Sequence, residues 1–68
     1  MSELRRKIGD NIRYYRSEKK LTQAQLAKKA KLSRGYISRV EHGRVNMYLT
    51  TLFELAKALG VSCKDLVR

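Results

Sequence analysis

Three times in 68 residues the chain repeats an order of side chains that marks the start of a helix. Leu21, Thr22, Gln25 and Leu26 form the fullest example. The Thr22 hydroxyl can accept the backbone N–H of the third helical residue, Gln25 can reach back to the Thr22 amide, and the two leucines close over the entry turn. Leu32, Ser33 and Ile37 repeat the cap and its apolar staple, with Tyr36 standing where a Glu or Gln would complete the box. Val61, Ser62, Asp65 and Leu66 repeat the whole device. Gly43 and Gly60 stand where a helix would stop in left-handed backbone, and no proline interrupts the chain. Punctuation this regular predicts an all-α fold.

The segments between these marks have helical spacing. Leu4, Ile8, Ile12 and Tyr15 predict a first helix over about residues 3–19. A second runs from the Thr22 cap to about Ala30, and a third from Ser33 to His42. A loop from Gly43 to Tyr48 precedes Leu49, Leu52, Phe53, Ala56 and Leu59, the stripe of a fourth helix, and Ser62 opens a short fifth. Residues 1–68 are thus expected to form a single compact five-helix domain. A chain of this length buries only about 60% of its unfolded surface, so a long catalytic cleft would leave little core to hold it together. Cys63 is the sole cysteine, so an internal disulfide and a cysteine-clustered zinc site are excluded. With no secretory signal and no long apolar run, the expected setting is a reducing cytosol, without a membrane span.

Charge narrows the function. Sixteen Lys and Arg against six Asp and Glu give a net of +10. Residues 1–44 hold thirteen of the basic and four of the acidic side chains, while residues 45–68 are close to neutral. Lysines that merely solvate helix faces do not predict so lopsided a distribution, whereas phosphate neutralisation does.

The third helix carries the most specific signal. On a helical wheel Ser33, Ile37, Val40 and Glu41 share one side, Gly35, Ser38, Arg39 and His42 the other, with Arg34 and Tyr36 on the flanks. A helix exposed only to water would favour Glu–Lys pairs at i,i+4. Gly, Ser and Arg are poor for helix stability but suit close approach and bidentate donation to guanine in a major groove.

Gln23 to His42 is similar to the twenty-residue helix-turn-helix of the phage-repressor and Cro-like family, often called Xre-type, of lambda-repressor-like fold. Gln23 opens the first helix of the pattern, Ala27 is the small residue at the crossing, and Ile37 and Val40 pack the second helix on the first. The resemblance extends from about Ile8 to Leu66, and includes LTTLFELAKALGVSCKDL from Leu49 to Leu66. It implies that Ser33, Arg34, Tyr36, Ser38 and Arg39 contact bases or adjoining backbone, with Arg34 and Arg39 foremost. It also implies that Gln23, Arg44 and Asn46 hold phosphates. Arg16 and Glu41, each continuing the inward stripe of its helix, are expected to meet, and the resemblance makes them a partly buried salt bridge that fixes the third helix on the first. Tyr36 admits two readings, a DNA contact or packing beside the second helix. His42 is read as a helix-end residue interacting with carbonyls rather than a ligand.

Two departures from the family pattern stand out. Lys31 occupies a turn position where glycine is common, so strain or a differently shaped turn is expected. Met47 and Tyr48 replace a Pro-Ser pair and, with Val45, either form a dimer seam or fold inward over the fourth helix; Leu66 and Val67 are the other candidate seam. The function expected is a sequence-specific regulator of double-stranded DNA, acting as a homodimer on a palindromic operator without metal or cofactor. The alternative is a protein-interaction adaptor, such as an antitoxin or corepressor, on the same fold. Catalysis is disfavoured because Cys63 and His42 are single and lack a third partner.

Overall fold

A computed structural model describes residues 3–68. Among them are five helices: α1 (Glu3–Glu18), α2 (Gln23–Ala30), α3 (Arg34–Glu41), α4 (Leu49–Leu59) and α5 (Cys63–Val67). The caps are as the sequence spells them. Thr22 and Gln25 exchange both bonds of a capping box, as do Ser62 and Asp65, while the Ser33 hydroxyl accepts the Tyr36 N–H at 3.0 Å. Bonds from the Ser62 backbone N–H and then its hydroxyl hold the Asp65 carboxyl below the usual carboxylate range.

Four helices end in the same way. In each, the residue after the last turn is left-handed, and its N–H and that of the next residue bond back to the last carbonyls. Gly43 and Gly60 fill this place after α3 and α4. After α1 and α2 it falls to lysines, Lys20 at φ 57° and Lys31 at φ 59°. The turn at Lys31 therefore keeps the glycine-type shape and accepts a side chain in it.

Helix α2 packs on α3 and α4, and α1 lies across α3 and α5. Ile12, Leu26, Ile37, Leu55, Leu59 and Leu66 are wholly enclosed between them. Helix α1 contributes Ile8, Gly9 and Ile12 to this interior, while Leu4, read from the sequence as part of the same stripe, is 52% exposed. The buried face of α4 comprises Leu52, Leu55, Ala56 and Leu59. Leu49 and Phe53, expected on that stripe, fall on its flank and remain 75% and 56% exposed. The reason is compositional: α4 is apolar over more than one face, and the core takes the face that includes Leu55. Val45 and Met47 tuck in at the edge of the core, whereas Tyr48 points out, 82% exposed. Leu66 is enclosed, so of that candidate pair only Val67 is open to a neighbour.

Candidate nucleic-acid interface

Helix α3 is held by its buried side. Ile37 and Val40 fill the core, and beside them Glu41 is only 4% exposed. A carboxylate at that depth needs partners. Arg16 of α1 supplies two, its Nε at 2.6 Å from Oε2 and its Nη2 at 3.2 Å from Oε1, and its Nη1 donates to the Leu21 carbonyl at 2.9 Å. Gln23 adds a third through its Nε2, at 3.1 Å from Oε1. The pairing of Arg16 with Glu41 is thus present. It is also wider than the sequence indicated, because Gln23 commits one of its two amide hydrogens to Glu41. That leaves its second amide hydrogen and the first backbone N–H groups of α2 to face an anion.

Gly9 makes the crossing of α1 over α3 close. A methyl placed there would run into the Val40 carbonyl oxygen and come within 3.0 Å of that of Glu41. Nothing in the sequence marks this contact, since a glycine within a helix announces no partner. Only the register between the two helices does.

The opposite side of α3 is open. Arg34, Gly35, Arg39 and His42 are exposed, and Ser38 and Tyr36 are half-buried. Ser33 is exposed as well, contrary to its inward place on the wheel, because a cap has extended backbone, here φ −86° and ψ 153°, to which helical spacing does not apply. The Arg39 guanidinium leans back along the helix. Its carbon lies 6.0 Å from the centre of the Tyr36 ring, and its Nη1 lies 3.5 Å from where a Gly35 Cβ would stand. Tyr36 thus packs at the core edge and flanks an arginine of the open face at once. His42 donates from Nδ1 to the Ser38 carbonyl at 2.7 Å, the helix-end contact expected of it.

Beyond α3, Arg44 and Asn46 are exposed in the loop to α4. The Asn46 side-chain oxygen Oδ1 accepts from Arg5 Nη1 at 2.8 Å, which brings the start of α1 to the loop. Arg5 was not singled out from the sequence, since contact across 41 residues leaves no local trace. The arrangement therefore presents a small-residue, basic helix face flanked by donors at both ends, with no acidic side chain on the open face of α3. Such a surface suits a duplex backbone and groove.

Comparison with known proteins agrees with this geometry. The Helix-turn-helix family HTH_3 matches residues 12–66. The immunity repressor protein of Bacillus phage phi105 is 47% identical over 60 residues, a stretch covering 88% of this chain and 42% of the repressor. The crystal structure of the hypothetical transcription factor NHTF from Neisseria superposes with a TM-score of 0.94 at 36% identity, over 97% of this chain and 76% of that one. SinR, the master regulator for biofilm formation, solved in complex with DNA, superposes with a TM-score of 0.84 at 32% identity, over 90% and 98% of the two chains. The chain belongs to the HTH_3 helix-turn-helix family, and it is a DNA-binding regulator of transcription, not an enzyme.

Proposed function

We propose that the protein regulates transcription by laying α3 in the major groove of an operator half-site, and that two copies act together on a palindromic site in the cytosol. The observation that carries this reading is the division of α3 into two faces. One is locked to the core through Glu41, and the other offers Gly35, Ser38 and Arg39 to a partner. Arg34 and Arg39 read bases, Ser33, Tyr36 and Ser38 make shorter contacts beside them, and Gln23, Arg44 and Asn46 hold phosphates. The two copies meet through Tyr48, Leu49 and Phe53, next to Cys63, an apolar surface that α4 leaves uncovered. To read two half-sites, a two-fold contact there must hold the two α3 helices one turn of DNA apart, about 34–36 Å.

The experiment is selection from a pool of random duplexes at near-physiological salt, which should enrich a short site with two-fold symmetry. Arg39→Ala should then weaken binding to the best site by about 1–3 kcal/mol and relax preference at one base pair. Salt-sensitive binding without enrichment would remove the sequence-specific role. Uniform weakening across all sequences would reassign Arg39 to phosphate.

A further inference from the structure

We propose that α1 carries a phosphate-binding track, formed by Arg6 and Arg13, that continues the open face of α3 past its end and takes the DNA backbone there. The proposal rests on the reading that α3 docks on DNA. Gly35, Arg39 and His42 are four and three residues apart, so they form one row along α3. His42 ends that row, and it also lines a concavity of about 200 Å³ with Glu41 and with Arg6, Asp10 and Arg13 of α1. The concavity lies there because Gly9 lets α1 cross against the backbone of Val40 and Glu41. Arg6 stands three residues before that crossing and Arg13 four after it, which puts both on the crossing side of the helix.

The charges around the concavity favour an anion. Glu41 is matched by Arg16 at 2.6 Å, and Asp10 by Arg13 at 3.1 Å. Arg6 makes no hydrogen bond or ion pair among the described residues, and Arg13 is more than half exposed despite its pair. One full cationic charge, with the outer part of a second, is therefore directed outward. Seven residues of helix separate the two arginines by about 10 Å along α1. One strand of DNA advances about 3.4 Å per phosphate along the duplex axis, and its inclined backbone sets successive phosphates roughly twice as far apart, so the pair reaches about two neighbouring phosphates. That length suits a run of backbone better than a single small anion. The ends of α1 meet the other two expected phosphate grips, through Arg16 and Glu41 to Gln23 and through Arg5 to Asn46. Arg6 and Arg13 lie on the helix between them.

The test is the salt dependence of binding to the selected duplex. The plot of log affinity against log salt should become shallower by about 0.9 for Arg6→Ala and by about twice that for the double variant with Arg13→Ala. Sequence preference should stay unchanged, and Lys64→Ala on α5, a control for bulk charge, should keep the wild-type slope. Asp10→Asn should bind more tightly, because it removes a carboxylate from the track and releases Arg13. Ethylation interference should lose the same two neighbouring phosphates in the double variant. Wild-type slopes in both arginine variants, or a Lys64 variant that falls as they do, would overturn the track while leaving the reading of α3 intact. A wild-type chain that binds no duplex would overturn both.

Discussion

Glu41 joins three segments of the chain through one carboxylate: its own helix, α1 through Arg16, and the start of α2 through Gln23. Removing Arg16 would leave that carboxylate enclosed with Gln23 alone. Arg16→Ala is therefore expected to cost about 3–5 kcal/mol, against a total stability on the order of 3–10 kcal/mol for a domain of this size. Lys19→Ala, at an exposed position, should stay within roughly 0.5 kcal/mol of the parent. Thermal unfolding followed by circular dichroism separates the two, and equal melting temperatures would deny the network its structural role. Gly9 and Gly35 form a second contrast. At Gly9 a methyl meets backbone, which cannot yield as a flexible side chain can, so Gly9→Ala should destabilise by about 1–3 kcal/mol. At Gly35 the nearest atom is the mobile end of Arg39, so Gly35→Ala should leave stability unchanged or raise it by up to about 1 kcal/mol through helix propensity. Arg16 and Glu41 were legible in the sequence because each extends an apolar stripe. The Gly9 contact was not, because it depends on the register of two helices far apart in the chain.

At the scale of the helix, beginnings were easier to read than ends. A start is encoded by a capping hydroxyl and apolar side chains within six residues, joined at α2 by an amide and at α5 by a carboxylate, and all three written starts occur as spelled. An end requires only a residue in left-handed backbone, which glycine advertises and lysine does not. Lys20 and Lys31 therefore end α1 and α2 at a conformational cost of roughly 1–2 kcal/mol each. Lys31→Gly is expected to recover about 1 kcal/mol of it, a rise in melting temperature of about 4–8 °C in a domain this small. A fall would mean that the lysine stem contributes packing worth more than the strain. Helix α4 forms where expected but buries a different face, for another reason. Its sequence is apolar on two adjacent faces, and periodicity alone could not tell which of them the core would take.

The face left over bears on the whole molecule. Tyr48, Leu49 and Phe53 lie open together in the nearly neutral later part of a chain whose basic charge is concentrated in residues 1–44. Because Phe53 and Leu49 contribute little to the interior, Leu49→Glu with Phe53→Glu should fold normally. Sedimentation should find this variant monomeric at concentrations where the parent dimerises. Its affinity for a two-half-site operator should fall toward that for a single half-site. A variant that still sediments as a dimer would place the seam elsewhere.

By itself the sequence determined the helical class, the positions of the helix starts, the polyanionic partner and the division of α3 into an inner and an outer face. Each of these depends on neighbours within about a turn or two of helix, or on summed charge, and so can be read locally. Tertiary structure alone decided which face of α4 would be enclosed, how closely α1 crosses α3 at Gly9, and that Gln23 would share Glu41 with Arg16. It also brought Arg5 to Asn46, and Arg6 and Arg13 to His42. Those outcomes depend on how helices distant in the chain settle into one core, where the best packing of all the apolar faces together overrides the preference of any single one.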